Sequence, residues 1–260
     1  MHGYVLQWGI YVISEVEMHK RVRVGVDAVL LDAAGTLIRP REPVAETYAA
    51  IAARHGTVLE KGELAAAFVE IFGDMPKLAF KWSSTGELDD LERGWWRSLV
   101  GRVVARAGGG VADFDAFFDD LYGHYAQGDA WECFPEVARV LGDLRAGGCK
   151  LAVVSNFDSR LPGILEALGI HRQLDAVIYS SAAGHAKPDP VIFRQALGML
   201  SVKPERALHV GDDRTADLQG ATSAGLHALL VDRKQSQAQF DADVICSLDV
   251  LPLHMDRLVG

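Results

Sequence analysis

The sequence predicts an α/β protein, a parallel sheet with helices on both faces, interrupted near its start by an inserted all-helical block. Three observations lead there. From about residue 132 onward, short Val-rich apolar runs alternate with helical stretches, a pattern that builds right-handed βαβ units around a parallel sheet. One further apolar run, Ala28 to Asp32, stands ahead of them. Between the two, residues 43–131 hold helical periodicity and no convincing strand.

Taken in order, the first 23 residues mix Trp8, Ile10, Tyr11 and Val12 with Glu15, Glu17, His19, Lys20, Arg21 and Arg23. They lack the basic start and continuous apolar segment of a signal peptide. A loosely held extension is expected, with Met18 as an alternative start. Ala28 to Asp32 reads as a buried strand. Helices are expected over 46–55, 63–72, 88–107 and 114–125, separated by breaks such as Ser83-Ser84-Thr85-Gly86 and Gly108-Gly109-Gly110. Helix 135–146 stops at Gly147-Gly148, and strand 150–155, helix 160–168 and strand 176–180 follow. Helix 190–200, strand 207–211, helix 215–224 and strand 227–231 continue the alternation, and a weak strand (244–246) and a helix (250–258) finish it. The expected organisation is an extension (1–23), a discontinuous core (24–42 and 132–260) and a helical cap (43–131).

Composition narrows the function. Of 260 residues, 49% are apolar and 23% charged, enough for a sizeable core. A net charge of −9 without a basic block argues against nucleic acid or an anionic membrane surface as partner. A phosphorylated small molecule remains open, because a metal or lysine can reverse the sign in a pocket. The three cysteines, Cys133, Cys149 and Cys246, are widely spaced, which disfavours a disulfide framework or zinc site and favours a reducing cytoplasm. No apolar stretch approaches the roughly 18 residues of a spanning helix.

Chemistry gathers at strand ends, where open α/β sheets bind ligands. The first strand ends on Asp32, followed by Ala33-Ala34-Gly35-Thr36. The next gives Ser155-Asn156, and the strand from Ala207 gives Gly211-Asp212-Asp213, with Asp217 a helical turn on. Lys187 precedes Asp189, a helix cap ahead of Pro190. Each alone is ordinary turn or cap chemistry. Together they would bring a carboxylate, a hydroxyl, an ammonium and an acidic cluster to one crevice. Clustered acids call for a cation, and oxygen-only ligands select Mg²⁺.

These four segments resemble the motifs of the haloacid dehalogenase-like (HAD) hydrolase superfamily: Asp32 to Thr36, Ser155-Asn156-Phe157-Asp158, Lys187-Pro188-Asp189-Pro190, and Gly211 to Asp217. The run 155–161 and the run 182–193 look most like its domain-containing protein 3 group. The resemblance implies a Rossmann-like core with a C1 cap. It also implies an aspartyl-phosphate formed on Asp32, with Thr36 in support, Ser155 and Asn156 binding phosphoryl oxygens, and Lys187 neutralising nucleophile and phosphoryl group. Mg²⁺ would be held by Asp32, the Ala34 backbone carbonyl and Asp212, while Asp217, and Asp213 with it, would orient Lys187 or water.

One position departs from the pattern. Phosphatases of this superfamily carry a second Asp, the general acid, where this chain has Ala34. The expectation is therefore a slow Mg²⁺-dependent phosphohydrolase acting on a small phosphorylated metabolite. Three other readings stay open: a 2-haloacid dehalogenase; a phosphonatase using a cap lysine (Lys61, Lys77 or Lys81); and a phospho-ligand-binding protein with little or no activity. Within the cap, Trp82, Trp95 and Trp96 are expected to pack in the interior, and Arg93, Arg97 and Arg102 to lie on a solvated face. His209 is expected inside a strand.

Overall fold

The computed structural model describes residues 25–233, 243–252 and 255. The N-terminal extension and most of the expected final helix lie outside the described residues. The chain enters on β1 (Ala28–Leu31), turns into the short β2 (Ile38–Pro40), and forms α1 (Val44–Arg54), α2 (Lys61–Asp74), α3 (Thr85–Arg106) and α4 (Phe114–His124). It returns through β3 (Trp131–Cys133) to α5 (Val137–Ala146), β4 (Lys150–Ser155), α6 (Leu161–Ala167), β5 (Ala176–Tyr179), α7 (Ser180–Ala183), α8 (Pro190–Leu200) and β6 (Ala207–Gly211). A π-helical turn (Arg214–Gln219) runs into α9 (Gly220–Ser223), and β7 (His227–Val231) and β8 (Val244–Ile245) complete the sheet.

Strand order is β5-β4-β1-β6-β7-β8, and every neighbouring pair is parallel. A parallel sheet is buried on both faces, which is why its strands read as continuous apolar runs. The two-residue period still sorts them. Val29 and Leu31 face one cluster shared with Leu141 of α5 and Ile164 of α6, whereas Ala28 and Leu30 face a second shared with Ile192 and Phe193 of α8. The same parity divides Leu151 and Val153 from Ala152 and Val154 in β4. Leu31 pairs with Val153 on one side and Val210 on the other. Asp32 therefore leaves β1 between the ends of β4 and β6.

Helices α1 to α4 bury their own cluster, which includes Tyr48, Leu64, Trp95, Leu99 and Phe117. Helix α3 begins on Ser84, whose side chain accepts from Glu87 N, while Glu87 accepts from the Ser83 N–H, a close variant of the capping box. Arg93 and Arg97 pair with Asp119 and Asp115 of α4, and Arg102 approaches Asp74 of α2 at 4.0 Å. These arginines lie at the surface as expected, but they link neighbouring helices.

Two features differ from the sequence expectation. β2 and β3 form an antiparallel ribbon, Ile38 opposite Cys133 and Pro40 opposite Trp131. Each is three residues long, and their partners are 91 or more positions apart, so no local pattern announces the pairing. The ribbon holds entry to and exit from the helical block side by side. The helix expected over 215–224 opens as a π turn instead, because the Asp213 carbonyl accepts from both Asp217 N and Leu218 N. Such turns are local widenings of a helix and often occur at functional sites. Here the widened turn carries Asp217 inward.

Candidate active site

Lys187 is the centre of the site. Its side chain is 2% exposed, and its Nζ donates to Asp32 Oδ1 at 2.6 Å and to Asp217 Oδ1 at 2.5 Å. Asp217 is tied down further: Oδ1 also accepts from His209 at 2.9 Å and Oδ2 from the Asp213 N–H at 2.9 Å. Ser155 hydrogen-bonds the Asp32 carboxylate. Asn156 fixes the lysine's backbone at both ends, donating to the Lys187 carbonyl at 3.0 Å and accepting from its N–H at 2.7 Å. Thus β1, β4, β6 and the loop before α8 bring Asp32, Ser155, Asn156, Lys187, Asp212 and Asp217 together.

The remaining predicted residues sit as follows. Asp213 caps the π turn, its carboxylate accepting from the Thr215 and Ala216 N–H groups. Thr36 is fully buried, and its hydroxyl has no partner among the described residues. Ala34 lies half-buried in the loop after β1 and bridges to Ile38. Two glycines let the acids close in. A Cβ on Gly35 would lie 2.2 Å from Asp212 Oδ2, and one on Gly211 would lie 2.1 Å from Asp217 Cγ. Both are collisions, so each acid packs against bare backbone.

The electrostatics follow from three carboxylates sharing one ammonium. Burial alone would lower the Lys187 pKa, but Asp32 and then Asp217 outweigh it and hold it above the ordinary value. Burial also works to raise Asp217, but the Lys187 charge and the His209 hydrogen bond overcome it, and its pKa lies below the usual carboxylate range. For Asp32 burial prevails over the pull of Lys187, and the pKa is raised. Burial lowers the His209 pKa, so the neutral ring donates from Nε2 to Asp217. Lys187→Met should destabilise the fold by about 3–5 kcal/mol at neutral pH, since it strands two buried acids. Urea unfolding tests this; a loss below about 1 kcal/mol, the scale of an exposed pair, would show that the ammonium does not carry their charge.

The donor set fits a hard cation. Asp32, Asp212 and Asp217 each offer an oxygen within 4.8 Å of the others, and carboxylate oxygens suit Mg²⁺. Asp217 has both oxygens engaged, which leaves Asp32 and Asp212 facing an incoming ion. Burial of its carboxyl end, then the Asp32 and Asp217 charges, push Asp212 up to about 7, although its side chain is open to solvent, which screens part of the effect. A raised carboxylate pKa means that the metal-free fold binds a proton the unfolded chain does not, so this contribution to stability falls as pH climbs from about 4 through 7. A cation competes for the same oxygens. At about 100 times its dissociation constant, Mg²⁺ should raise Tm by roughly 5–10 °C, with a larger rise at pH 8 than at pH 5.5. A thermal melt with and without Mg²⁺ at the two pH values checks this; an equal shift at both would count against the carboxylate site.

Above this centre, a cavity of about 550 Å³ opens between the helical block and the sheet edge. Ala34, Asn156 and Pro188 form part of its lining from the sheet side, and Tyr48, Phe68 and Trp95 from the helices. Lys77 lines it and is exposed, whereas Lys61 pairs with Glu46 and Lys81 is exposed. The seam beside the cavity is polar. Glu92 of α3, fully buried, accepts from Ser159 N and Oγ and from Ser181 Oγ; burial raises its pKa. Trp96 donates to Asp158 Oδ2 at 2.6 Å, and Arg160 grips the same carboxylate through Nε and Nη2. Of the three tryptophans expected in the interior, Trp95 packs there, Trp96 joins the seam, and Trp82, 39% exposed, donates to the Ala182 carbonyl.

Sequence reasoning did not anticipate three contributors. His209 sits in its strand as expected, but it also holds Asp217; a polar residue within an otherwise apolar strand was the available signal. Arg233 donates to the carbonyls of Gly35 and Thr36 and to Glu136, bracing the loop after β1. Nothing local marks it, because its partners are distant in sequence. Glu92 stands in the charged stretch Asp89-Asp90-Leu91-Glu92-Arg93, where nothing local sets it apart.

Known proteins agree with this architecture. The family model of the haloacid dehalogenase-like hydrolases matches residues 26–225. Haloacid dehalogenase-like hydrolase domain-containing protein 3 of Mus musculus is 38% identical over 207 residues, 77% of this chain and 79% of that protein. Glyceraldehyde 3-phosphate phosphatase of Methanothermobacter thermautotrophicus is 38% identical over a shorter stretch of 118 residues, 45% of this chain and 52% of that protein. The structure of L-2-haloacid dehalogenase from Xanthobacter autotrophicus superimposes with a TM-score of 0.66 at 20% identity, covering 88% of this chain and 97% of that one, a likeness of fold. With the motif residues gathered at the edge of one parallel sheet, the chain belongs to the haloacid dehalogenase-like hydrolase family.

Proposed function

We propose that the protein is an Mg²⁺-dependent phosphohydrolase acting on a small phosphorylated molecule through an aspartyl-phosphate on Asp32. The observation that carries this reading is the Asp32–Lys187–Asp217 ion-pair chain with Asp212 beside it. A buried lysine between two acids is suited to neutralising a phosphoryl group as it arrives. Residues 43–131 act as the cap over the site, and 24–42 with 132–260 as the core. The widely spaced cysteines and the acidic net charge suit a cytoplasmic enzyme with neither nucleic acid nor membrane as partner.

In this reading an Asp32 oxygen attacks phosphorus and the leaving oxygen departs with the bonding pair. Water then attacks the acyl phosphate, releasing inorganic phosphate and restoring the carboxylate. When bound, Mg²⁺ held by Asp32, Asp212 and the Ala34 carbonyl supplies charge neutralisation for the phosphoryl oxygens. Ser155 donates to a phosphoryl oxygen, and Asn156 holds Lys187 in place while bordering the substrate. Asp217 keeps Lys187 charged and aimed at Asp32, Asp213 fixes the π turn that presents Asp217, and Thr36 supports the loop. Ala34 offers no proton to the leaving oxygen, so turnover is slow and favours substrates whose leaving group needs none.

A second reading has its own support: a largely apolar cavity reached by Ala34, two residues after Asp32, with no acid at position 34, would also suit a 2-haloacid, whose halide leaves unprotonated. A screen of acetyl phosphate, a phosphate monoester, a phosphonate and a 2-haloacid, each with Mg²⁺ and with chelator, separates the readings. Mg²⁺-dependent release of phosphate is expected. Metal-independent dehalogenation would replace the proposal, and inertness toward all four would favour a binding protein.

A further inference from the structure

The geometry points to an aryl phosphate as the substrate class, a phosphoryl group carried on a bulky aromatic body through a phenolic oxygen; this deepens the phosphohydrolase reading and rests on it. Two independent features of the cavity converge. The first is its wall. Among the described residues, ten aromatic side chains line the space, drawn from both blocks, including Tyr48, Phe68, Trp95, Phe118, Trp131 and Phe157. Of the two cations among these described residues, one is already engaged and the other lies at the solvent edge. Arg160 is held by Asp158 and sandwiched at 5.0 Å from the Trp96 ring and 4.2 Å from the Tyr122 ring. Lys77 stands exposed. The Asn156 amide is engaged by the Lys187 backbone at both ends.

Against such walls, whose hydroxyls among the described residues come from Tyr48, Tyr122, Tyr125 and Thr215 alone, a sugar or polyol would lose water from more hydroxyls than it could pair, at a cost of roughly tenfold or more in affinity for each one left unpaired. A flat aromatic body makes the opposite exchange. It leaves water for rings that it can meet edge-on or offset. About 550 Å³ is ample for a fused two-ring group and falls within the usual range of small-molecule sites.

The second feature is the methyl group of Ala34 in the same lining. A leaving oxygen that departs there receives no proton from residue 34. A phenol ionises near pKa ~10, far below an aliphatic alcohol, so its oxygen leaves as a tolerable anion where an alkoxide would not. The step balances without a further reactant. The bond from Asp32 oxygen to phosphorus forms as the bond from phosphorus to aryl oxygen breaks. The pair leaves on the phenolate, which is protonated by solvent, and water then hydrolyses the acyl phosphate. Wall and missing acid thus select the same molecule, one by its body and the other by its oxygen.

The test is kcat/KM, in Mg²⁺, for 1-naphthyl phosphate, phenyl phosphate, acetyl phosphate and glucose 6-phosphate, with Asp32→Asn as the blank. Naphthyl should exceed phenyl phosphate by about tenfold, chiefly through KM, from the extra apolar area buried. It should exceed glucose 6-phosphate by on the order of 10²-fold or more. A variant locates the effect. Gly73 lines the cavity, and a Cβ there meets nothing within 4 Å, so Gly73→Trp fills space without displacing backbone. It should lower the ratio of naphthyl to acetyl phosphate turnover about tenfold, which reverses the burial gain. Asp32-dependent turnover in which glucose 6-phosphate equals or outruns naphthyl phosphate overturns the substrate class and leaves the phosphohydrolase reading standing. An unchanged ratio in Gly73→Trp overturns the cavity as the seat of the leaving group. Absence of Asp32-dependent turnover of every phosphate removes the reading itself, and the substrate class with it.

Discussion

If the proposed phosphohydrolase mechanism holds, replacing Asp32 with asparagine is expected to abolish phosphate release, a loss on the order of 10⁴-fold or more because the attacking atom is gone. The protein should stay folded while it loses function. Asn keeps an oxygen acceptor for Lys187 Nζ, now 2.6 Å from Asp32 Oδ1, and Asp217 still balances the ammonium at 2.5 Å. Burial disfavours the ionised form of Asp32 and raises its pKa, so a neutral isostere relieves part of a burial cost. Phosphate release and a thermal melt on the same preparation check both halves. Activity that survives in folded Asp32→Asn would mean that hydrolysis arises elsewhere.

Ala34→Asp should have the opposite effect. Ala34 lines the cavity and is half-buried in the loop that Asp32 begins, so a carboxyl there would border the cavity proposed to take the leaving group. A positioned acid/base contributes on the order of 10²–10⁴-fold, and small misplacement erodes that gain. The increase should be greatest for unactivated alkyl phosphates and smaller for acetyl or aryl phosphates, whose oxygens leave readily, although water attack benefits in both cases. Asp32→Asn should remain inactive in this background. The measurement is kcat for an alkyl and an acyl phosphate in both proteins, and a folded, Mg²⁺-binding Ala34→Asp protein with neither rate improved would sink the missing-acid explanation.

How much of this could be read from the chain depends on how local each signal is. The strands β1, β4 and β6 were legible because a parallel sheet buries both faces and leaves unbroken apolar runs such as Val29-Leu30-Leu31. Their polar ends, Asp32, Ser155 and Asp212, followed from the rule that ligands meet the strand termini, and the helix over 190–200 followed from Asp189 and Pro190. Pairings between distant segments were not legible. The β2–β3 ribbon joins two three-residue strands about ninety positions apart, and Arg233 braces a loop nearly two hundred residues upstream. The family resemblance implies a phosphate contact for Asn156. Its hydrogen bonds to the Lys187 backbone are a relation that spacing does not encode. The π turn was hidden for another reason: one carbonyl serving two N–H groups leaves the sequence pattern of an ordinary helix unchanged.

The two glycines that admit Asp212 and Asp217 alter how tolerance to change should be mapped onto this chain. An inventory of residues able to donate, accept or attack would pass over Gly35 and Gly211, since neither offers a side chain. Yet the added methyl of an alanine at either position would overlap an acid by more than an ångström, against atoms 2.2 and 2.1 Å away. Variation that looks mild on paper would thus press directly on the charged centre, whereas Gly62 and Gly86, in α2 and α3, have nothing within 4 Å of an added Cβ. Gly35→Ala and Gly211→Ala are therefore expected to impair the site although neither position offers a side chain to the chemistry.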